Sequence, residues 1–325
     1  METIIANESH IHQIREAFAQ LRERRAMDYV DYLALPSIAD FHCDRIVHAI
    51  RSSSNPITLF IEKGILAALV GIQPSAWHTN HYNIPYFKIQ PLFLFTEDAT
   101  TVNAVVTQMV ASLCNRPDAL YTTRIEAREP ILPHIFGRHG FADVGVSVRL
   151  SASPQGIPYV DNSNTCTYDT FIIRNYGSRD LPFLQEIARE SHRYSHFFRE
   201  IRFPRERTQD LFAEWIRQCA DGIAQQIFTA EQAGSVIGFS ILLTSNSLSS
   251  YIQKRIGVVD FIVVDKHVQG KGIGKALLQT SMKWFQDRVD LVELRTMADN
   301  LQAIRFYEKN GFRILSVDHH FHYWT

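Results

Sequence analysis

The spacing of apolar residues changes period along the second half of the chain. "YDTFIIRNYG" is a short apolar run that predicts a strand. In "RDLPFLQEIARESH", Leu181, Phe183, Leu184 and Ile187 recur at helical spacing. "RTQDLFAEWIRQCA" repeats that spacing, with Leu211, Trp215 and Ile216 on one side. "AQQIFTAEQAGSVIGFSILLTS" predicts two strands joined by a turn at Gln232-Ala233-Gly234. "GVVDFIVVD" predicts a buried strand, and "KALLQTSMKWFQDR" a long helix after it. "LVELRTM", "NLQAIRFYEKNGF" and "RILSVDHHFHYW" then predict strand, helix and strand. This order, βααββ and then βαβαβ, predicts an α/β (α+β) fold with a mixed central sheet flanked by helices.

The first half carries a faint copy of the second. "TRIEAREPILPHIFGRHGF" lies over "LRTMADNLQAIRFYEKNGF" at a constant offset of 171 residues. Arg124 then matches Arg295, Gly140 matches Gly311, Phe141 matches Phe312, and Phe136 stands opposite Tyr307. The tandem reading predicts a degenerate domain over residues 1–155 and a site-bearing domain over 156–325. The boundary falls in "SASPQGIPYVDNSNTC", residues 151–166, which is rich in Ser, Pro, Gly and Asn.

Composition narrows the classes. Apolar residues make up 46% and charged residues 21%, as in an ordinary globular protein. A net charge of −1 supplies no field for nucleic acid or an anionic membrane, so neither is expected as a partner. No run approaches the ~20 apolar residues of a spanning helix. "METIIANESHIHQIREAF" lacks the continuous apolar core of a signal peptide. The four cysteines, Cys43, Cys114, Cys166 and Cys219, are far apart, which fits a reducing, cytoplasmic location.

The chemistry concentrates in "VVDKHVQGKGIGKALL", a glycine loop between an apolar run and a helix. A triphosphate loop needs four residues between its glycines and a hydroxyl after its lysine. Here three residues separate Gly270 from Gly274, and Ala276 stands where the hydroxyl would be. The dinucleotide fingerprint needs a glycine where Leu277 stands. The pattern Q/R-x-x-G-x-G/A fits Gln269, Gly270, Lys271, Gly272, Ile273 and Gly274 at each position. Unpartnered N–H groups at a helix start, together with its dipole, favour a pyrophosphate there.

This loop, with Asn300, Tyr307 and Gly311-Phe312 downstream, resembles the GNAT acetyltransferase superfamily over residues 166–325. The resemblance implies acetyl-CoA as cofactor, held by Gln269, Gly270, Lys271, Gly272, Ile273, Gly274 and Lys275 together with Val263, Val264, Asn300 and Ala303. It implies that a backbone N–H near Val263 and Val264 holds the thioester carbonyl, and that Tyr307 is the general acid toward the CoA sulfur. Asn300 serves equally well as a helix N-cap, and Tyr307 as a core tyrosine. Asp260 is a candidate base, expected at period 2 to share a face with Ile262 and Val264; an ion-paired carboxylate is the other reading. His192 and His196 are alternative bases. His320 and His322 share a strand face without a third ligand, so no metal is expected.

The acceptor stretch, residues 190–216, resembles the TDP-fucosamine acetyltransferase group, which acetylates a nucleotide-linked 4-amino-4,6-dideoxy sugar. Ser195, Phe197, Arg202, Phe203, Pro204 and Trp215 match, while His196 replaces the usual arginine. "SAWHTNHYNIPYFKI" resembles an N-terminal element of that group, departing at His78 and Asn83. The resemblance implies that Ser195, His196, Phe197 and Arg202 contact a small-molecule amine. Arg193, Arg199, Arg202, Arg205 and Arg207 suit a diphosphate, or a solvated mixed-charge loop. Another small amine, a protein amine, or acyl-CoA binding without turnover remain the alternatives.

Overall fold

The computed structural model describes residues 1–25, 36–52, 55–156, 166–167, 170–191 and 193–325. His192 and most of the expected linker lie outside the described residues.

The first repeat contributes β1 (Glu2–Ile5), α1 (Ile11–Arg25), α2 (Pro36–Ser52), β2 (Ile57–Glu62), β3 (Ile65–Pro74), α3 (Ala76–Tyr82), β4 (Tyr86–Leu94), α4 (Ala99–Leu113), β5 (Leu120–Glu126), α5 (Leu132–Arg138) and β6 (Ala142–Ala152). The second contributes β7 (Cys166–Thr167), β8 (Ile172–Asn175), α6 (Leu181–Ser191), α7 (Arg205–Gln218), β9 (Gln226–Gln232) and β10 (Ser235–Ser245). It continues with α8 (Ser249–Ile252), β11 (Ile256–Val264), α9 (Ile273–Phe285), β12 (Leu291–Met297), α10 (Leu301–Lys309) and β13 (Arg313–Trp324). The offset of 171 seen in the sequence carries β5 onto the limits of β12.

By its contacts the chain forms two compact units, Met1–Val146 with Val317–Thr325, and Ser147–Ser316. The division between these contact units falls at 146/147, and the chain returns to the first unit at Val317. The reason is strand pairing. Residues 147–152 of β6 pair antiparallel with β12 in the second unit, with Ser147 opposite Met297. Residues 318–324 of β13 pair with β5 in the first unit, with Asp318 opposite Glu126. Hydrophobic periodicity predicts the last strand but carries no information about which partner it joins.

In the second unit the sheet has helices on both faces. Val259, Val292, Leu294 and the buried face of α9 form one core, joined by Tyr307 and Phe312. Phe239, Ile241 and Phe261 pack against Leu184, Ile187 and Ile216 of α6 and α7 in the other. Phe183, expected on the inner face of α6, is instead exposed. The start of α6 is pinned by Arg174, which donates to both carboxylate oxygens of Asp180 and to Glu231.

Candidate active site

The glycine loop joins β11 to α9. Its entry is closed by Asp265, whose carboxylate accepts from His267 N at 2.9 Å, and by Gln269 Nε2, which donates to Val264 O at 3.0 Å. Gly270 and Gly272 have φ of 83° and 82°, the left-handed region that a side chain resists. A Cβ built on either meets nothing within 4 Å, so the space above the loop is open. Gly272 caps α9 without a side-chain acceptor, and the first helical bond runs from Ala276 N to Gly272 O at 3.0 Å. The N–H groups of the first turn thus remain available, and exposed Lys271 and Lys275 flank them. This open, uncapped, cationic start fits a pyrophosphate.

Next to the loop the sheet parts. The parallel pairing of β11 with β12 runs Ile256↔Leu291, Gly257↔Val292, Val258↔Glu293, and stops. Beyond it Val259–Val264 continue beside β10, while Leu294–Met297 continue beside β6. The facing edges beside half-buried Val263 and Val264 are no longer paired with each other, and of these Val264 O is taken by Gln269 Nε2.

Asp260 sits where the β10–β11 register slips, between Ile241↔Phe261 and Leu242↔Val259. This bulge breaks the period-2 alternation on which the sequence expectation rests. Asp260 therefore does not share a face with Ile262 and Val264, which pack toward α9. Its Oδ2 accepts from Trp215 Nε1 of α7 at 2.7 Å. Burial pushes its carboxyl above the usual range, and the indole bond opposes that. Its partner is an indole rather than the cation of the ion-paired reading.

Tyr307 of α10 is buried on the α9 side, packed by Phe306 and Phe312 with ring centroids at 5.2 and 5.8 Å. Burial drives its phenol above the ordinary value, so it stays protonated at neutral pH. Asn300 caps α10: its Oδ1 accepts from Ala303 N at 3.3 Å, and its Nδ2 donates to Thr296 Oγ1 at 3.1 Å. The Asn300 side chain and the Ala303 N–H are thereby occupied with each other.

Between α6 and α7 the acceptor stretch forms a short helical turn at His196–Arg199, followed by a second turn closed by Phe203 N on Glu200 O at 3.1 Å. Ser195 is buried and caps the first turn by accepting from Phe197 N at 3.3 Å. His196 lies against Phe197, with ring centroids 4.0 Å apart. Phe197 in turn meets Phe212 of α7 at 6.5 Å, and Phe212 meets Phe261 of β11 at 6.2 Å. This aromatic chain ties the turn to the strand that carries Asp260. Arg202 is exposed, while Arg199 is ion-paired with Asp299 just before α10. Lys266 of the glycine loop pairs with Glu190 of α6 at 2.8 Å.

Sequence reasoning passes over Glu293, the β12 residue at the last rung before the strands part. It is buried, its Oε2 lies 3.6 Å from Arg149 Nη1, and its Oε1 has no hydrogen-bond partner among the described residues. Burial lifts its carboxyl to about 7, with Arg295 opposing. The available signal was a carboxylate inside the apolar run "LVELRTM", where the first repeat has Thr122. Among the described residues, no three His, Cys, Asp or Glu side chains gather as metal ligands. No described helix is long and apolar enough to cross a membrane.

Residues 182–312 match the model of the Acetyltransferase (GNAT) family. The Bacillus subtilis spore coat polysaccharide biosynthesis protein SpsD is 27% identical over 45% of this chain and 48% of its own length. The uncharacterized N-acetyltransferase MJ1207 of Methanocaldococcus jannaschii is 27% identical over 44% of this chain and 61% of its own. The chain thus spans about half to three fifths of these curated relatives. A tandem GNAT protein from the clavulanic acid biosynthesis pathway shares the fold, with a TM-score of 0.57 at 12% identity over 99% of this chain and 98% of that one.

Proposed function

We propose that the chain, whose residues 182–312 match the Acetyltransferase (GNAT) family model, moves the acetyl group of acetyl-CoA to a primary amine of a small molecule. The observation that carries this reading is the uncapped start of α9 at the open end of a parted strand pair. Gln269–Lys275 would hold the pyrophosphate, and the strand edges at Val263 and Val264 would receive the pantetheine arm. When bound, acetyl-CoA supplies an acetyl group activated as a thioester. Tyr307, protonated and without a hydrogen bond to its hydroxyl among the described residues, gives its proton to the departing sulfur. The acceptor approaches from the α6–α7 side, past Ser195, His196, Phe197 and Arg202. Two carboxylates, Asp260 and Glu293, face that side and could receive its proton.

The acceptor class we favour is a nucleotide-linked amino sugar, for which the arginines of the 193–207 stretch would hold a diphosphate. SpsD, named for polysaccharide biosynthesis, supports a sugar acceptor. A panel of TDP-amino sugars, polyamines and amino acids, assayed for thiol release from acetyl-CoA, tests the reading. Turnover is expected with the amino sugar, and Tyr307→Phe is expected to lower kcat about 100-fold with unchanged acetyl-CoA affinity. Full activity of that variant would overturn the acid assignment. Tight acetyl-CoA binding without thiol release for any amine would instead mark a binding module.

A further inference from the structure

Both repeats part their parallel strands after three rungs, but the side chains beside the parting differ in charge. In the second repeat the last rung is Val258↔Glu293; in the first it is Lys88↔Thr122, after Tyr86↔Leu120 and Phe87↔Tyr121. Phe87, Ile89, Tyr121 and Ile125 belong to the core that contains α4 and α5. Strand alternation therefore turns Lys88, Gln90, Thr122 and Arg124 to the opposite face. Counted from the matching rungs, Lys88 stands where the second repeat has Val258, Gln90 where it has Asp260, and Thr122 where it has Glu293. Two carboxylates are thus exchanged for neutral side chains. A cation is added near an arginine that both repeats keep, Arg124 matching Arg295. Carboxylates suit an amine; this face of the first repeat suits an anion.

The gap between these strands is bridged, so an anion meets the face and not the gap. Thr123 Oγ1 of β5 donates to Ile89 O of β4 at 3.0 Å, and Thr122 Oγ1 donates to Phe87 O at 3.4 Å. On the face itself Lys88, Gln90 and Arg124 are all exposed. Buried His322 and His320 of β13 stand beside Thr122 and Arg124 in register and wall the site. His78 of α3 stacks on Tyr86, with ring centroids 4.3 Å apart, two residues before Lys88. Burial holds its imidazole down to about 3, so it is neutral at pH 7. Among the described residues Lys88 makes no hydrogen bond or ion pair. Although Lys88 reaches solvent, its ammonium lies below the ordinary lysine range. The first cause is the protein that displaces water from it, and the second is the charge of Arg124. The carboxylates of this face, Glu126 and Asp318, stand opposite each other one step beyond Arg124, and Glu126 lies 4.0 Å from Arg128. A partly desolvated ammonium beside a guanidinium, with no carboxylate of its own, is an arrangement that an outside anion completes.

We propose that Lys88 and Arg124 form an anion site on the first unit, whose ligand is a small molecule carrying a phosphate monoester. Two cations match the two charges that such a phosphate carries at neutral pH. The guanidinium forks onto two oxygens, the ammonium takes the third, and the exposed amide of Gln90 adds a neutral donor. A carboxylate satisfies the fork but leaves the lysine without an anion of its own. The site asks nothing of the glycine loop, so it stands or falls separately from the acetyltransferase reading.

The test is calorimetry on the full chain at fixed ionic strength. The probes are inorganic phosphate and glycerol 3-phosphate, with acetate as the carboxylate control. Titrations use the Gly272→Val background, and wild type with saturating CoA, so that phosphate at the glycine loop is not counted. One phosphate per chain is expected. Lys88→Gln and Arg124→Gln should each weaken it about 10-fold, Lys88→Arg should keep most of the affinity, and acetate should bind about 10-fold more weakly. Lys309→Gln, which removes an exposed cation of the second unit, should leave the affinity unchanged. Melting temperatures without ligand check that each variant is folded. Undiminished phosphate binding in Lys88→Gln and Arg124→Gln, an equal loss in Lys309→Gln, or no phosphate binding in either background would overturn the site. Acetate binding as tight as phosphate would overturn the ligand class.

Discussion

Glu293 has a raised pKa because burial penalises its charge more than Arg295 repays, and that balance has a thermodynamic signature. An acid whose folded value of about 7 exceeds its unfolded value of 4.5 binds its proton more tightly when native. Ionisation therefore costs stability, the cost growing as pH rises from 4.5 to about 7 and being complete above that window. Glu293→Gln removes the ionisation. The variant should match wild type near pH 4.5 and exceed it at pH 8 by on the order of 2–3 kcal/mol in urea denaturation. At this scale the candidate site is proposed from residue type and spacing: the glycines stand at a helix start, Asn300 caps α10 and Tyr307 is buried on the same helix. Asp260 is legible as a carboxylate but not in direction, because one bulge reverses the face that alternation assigns to it. Glu293 is hidden because its burial depends on strands that are far apart in sequence.

The parted pair β11–β12 depends on how tightly α9 lies over the rungs before it opens. A Cβ on Gly257 would sit 2.5 Å from Phe285 Cε1 of α9, so the ring occupies the space of the missing side chain. Gly257→Ala must move the ring or the strand, at a cost of about 1–3 kcal/mol. The urea midpoint should fall by that loss divided by the m value, with m itself unchanged. A midpoint equal to wild type would mean that the ring can yield freely. Helix and strand limits follow from periods and punctuation, which is why α6, α7, α9 and α10 are readable from residue spacing. The point at which two strands stop bonding is not. It depends on backbone pairing, to which side-chain pattern is indifferent.

Across the whole molecule, the two repeats treat the same helix start differently. In the second, α9 begins at an uncapped glycine; in the first, α4 begins at Asp98, whose carboxylate accepts from Thr101 N at 2.8 Å and from Thr101 Oγ1 at 2.7 Å. The first repeat thus answers its helix dipole with its own anion, and Phe136, fully buried, replaces the phenol. Calorimetry should therefore find one acetyl-CoA per chain, and Gly272→Val should abolish binding entirely; half-stoichiometric binding left in that variant would place a second site in the first repeat. The tandem architecture is legible from the offset of 171, whereas the exchange of final strands is not, since an offset relates equivalent positions without saying what they touch. That exchange has a kinetic meaning. The edge of β5, ready at position 126, stays open until position 318 arrives to cover it. A nascent chain must hold that sticky edge through the synthesis of the entire second repeat. Cutting between the repeats would leave it exposed for good, so chaperone dependence and aggregation of a first-repeat fragment are the cellular price of the fold's topology.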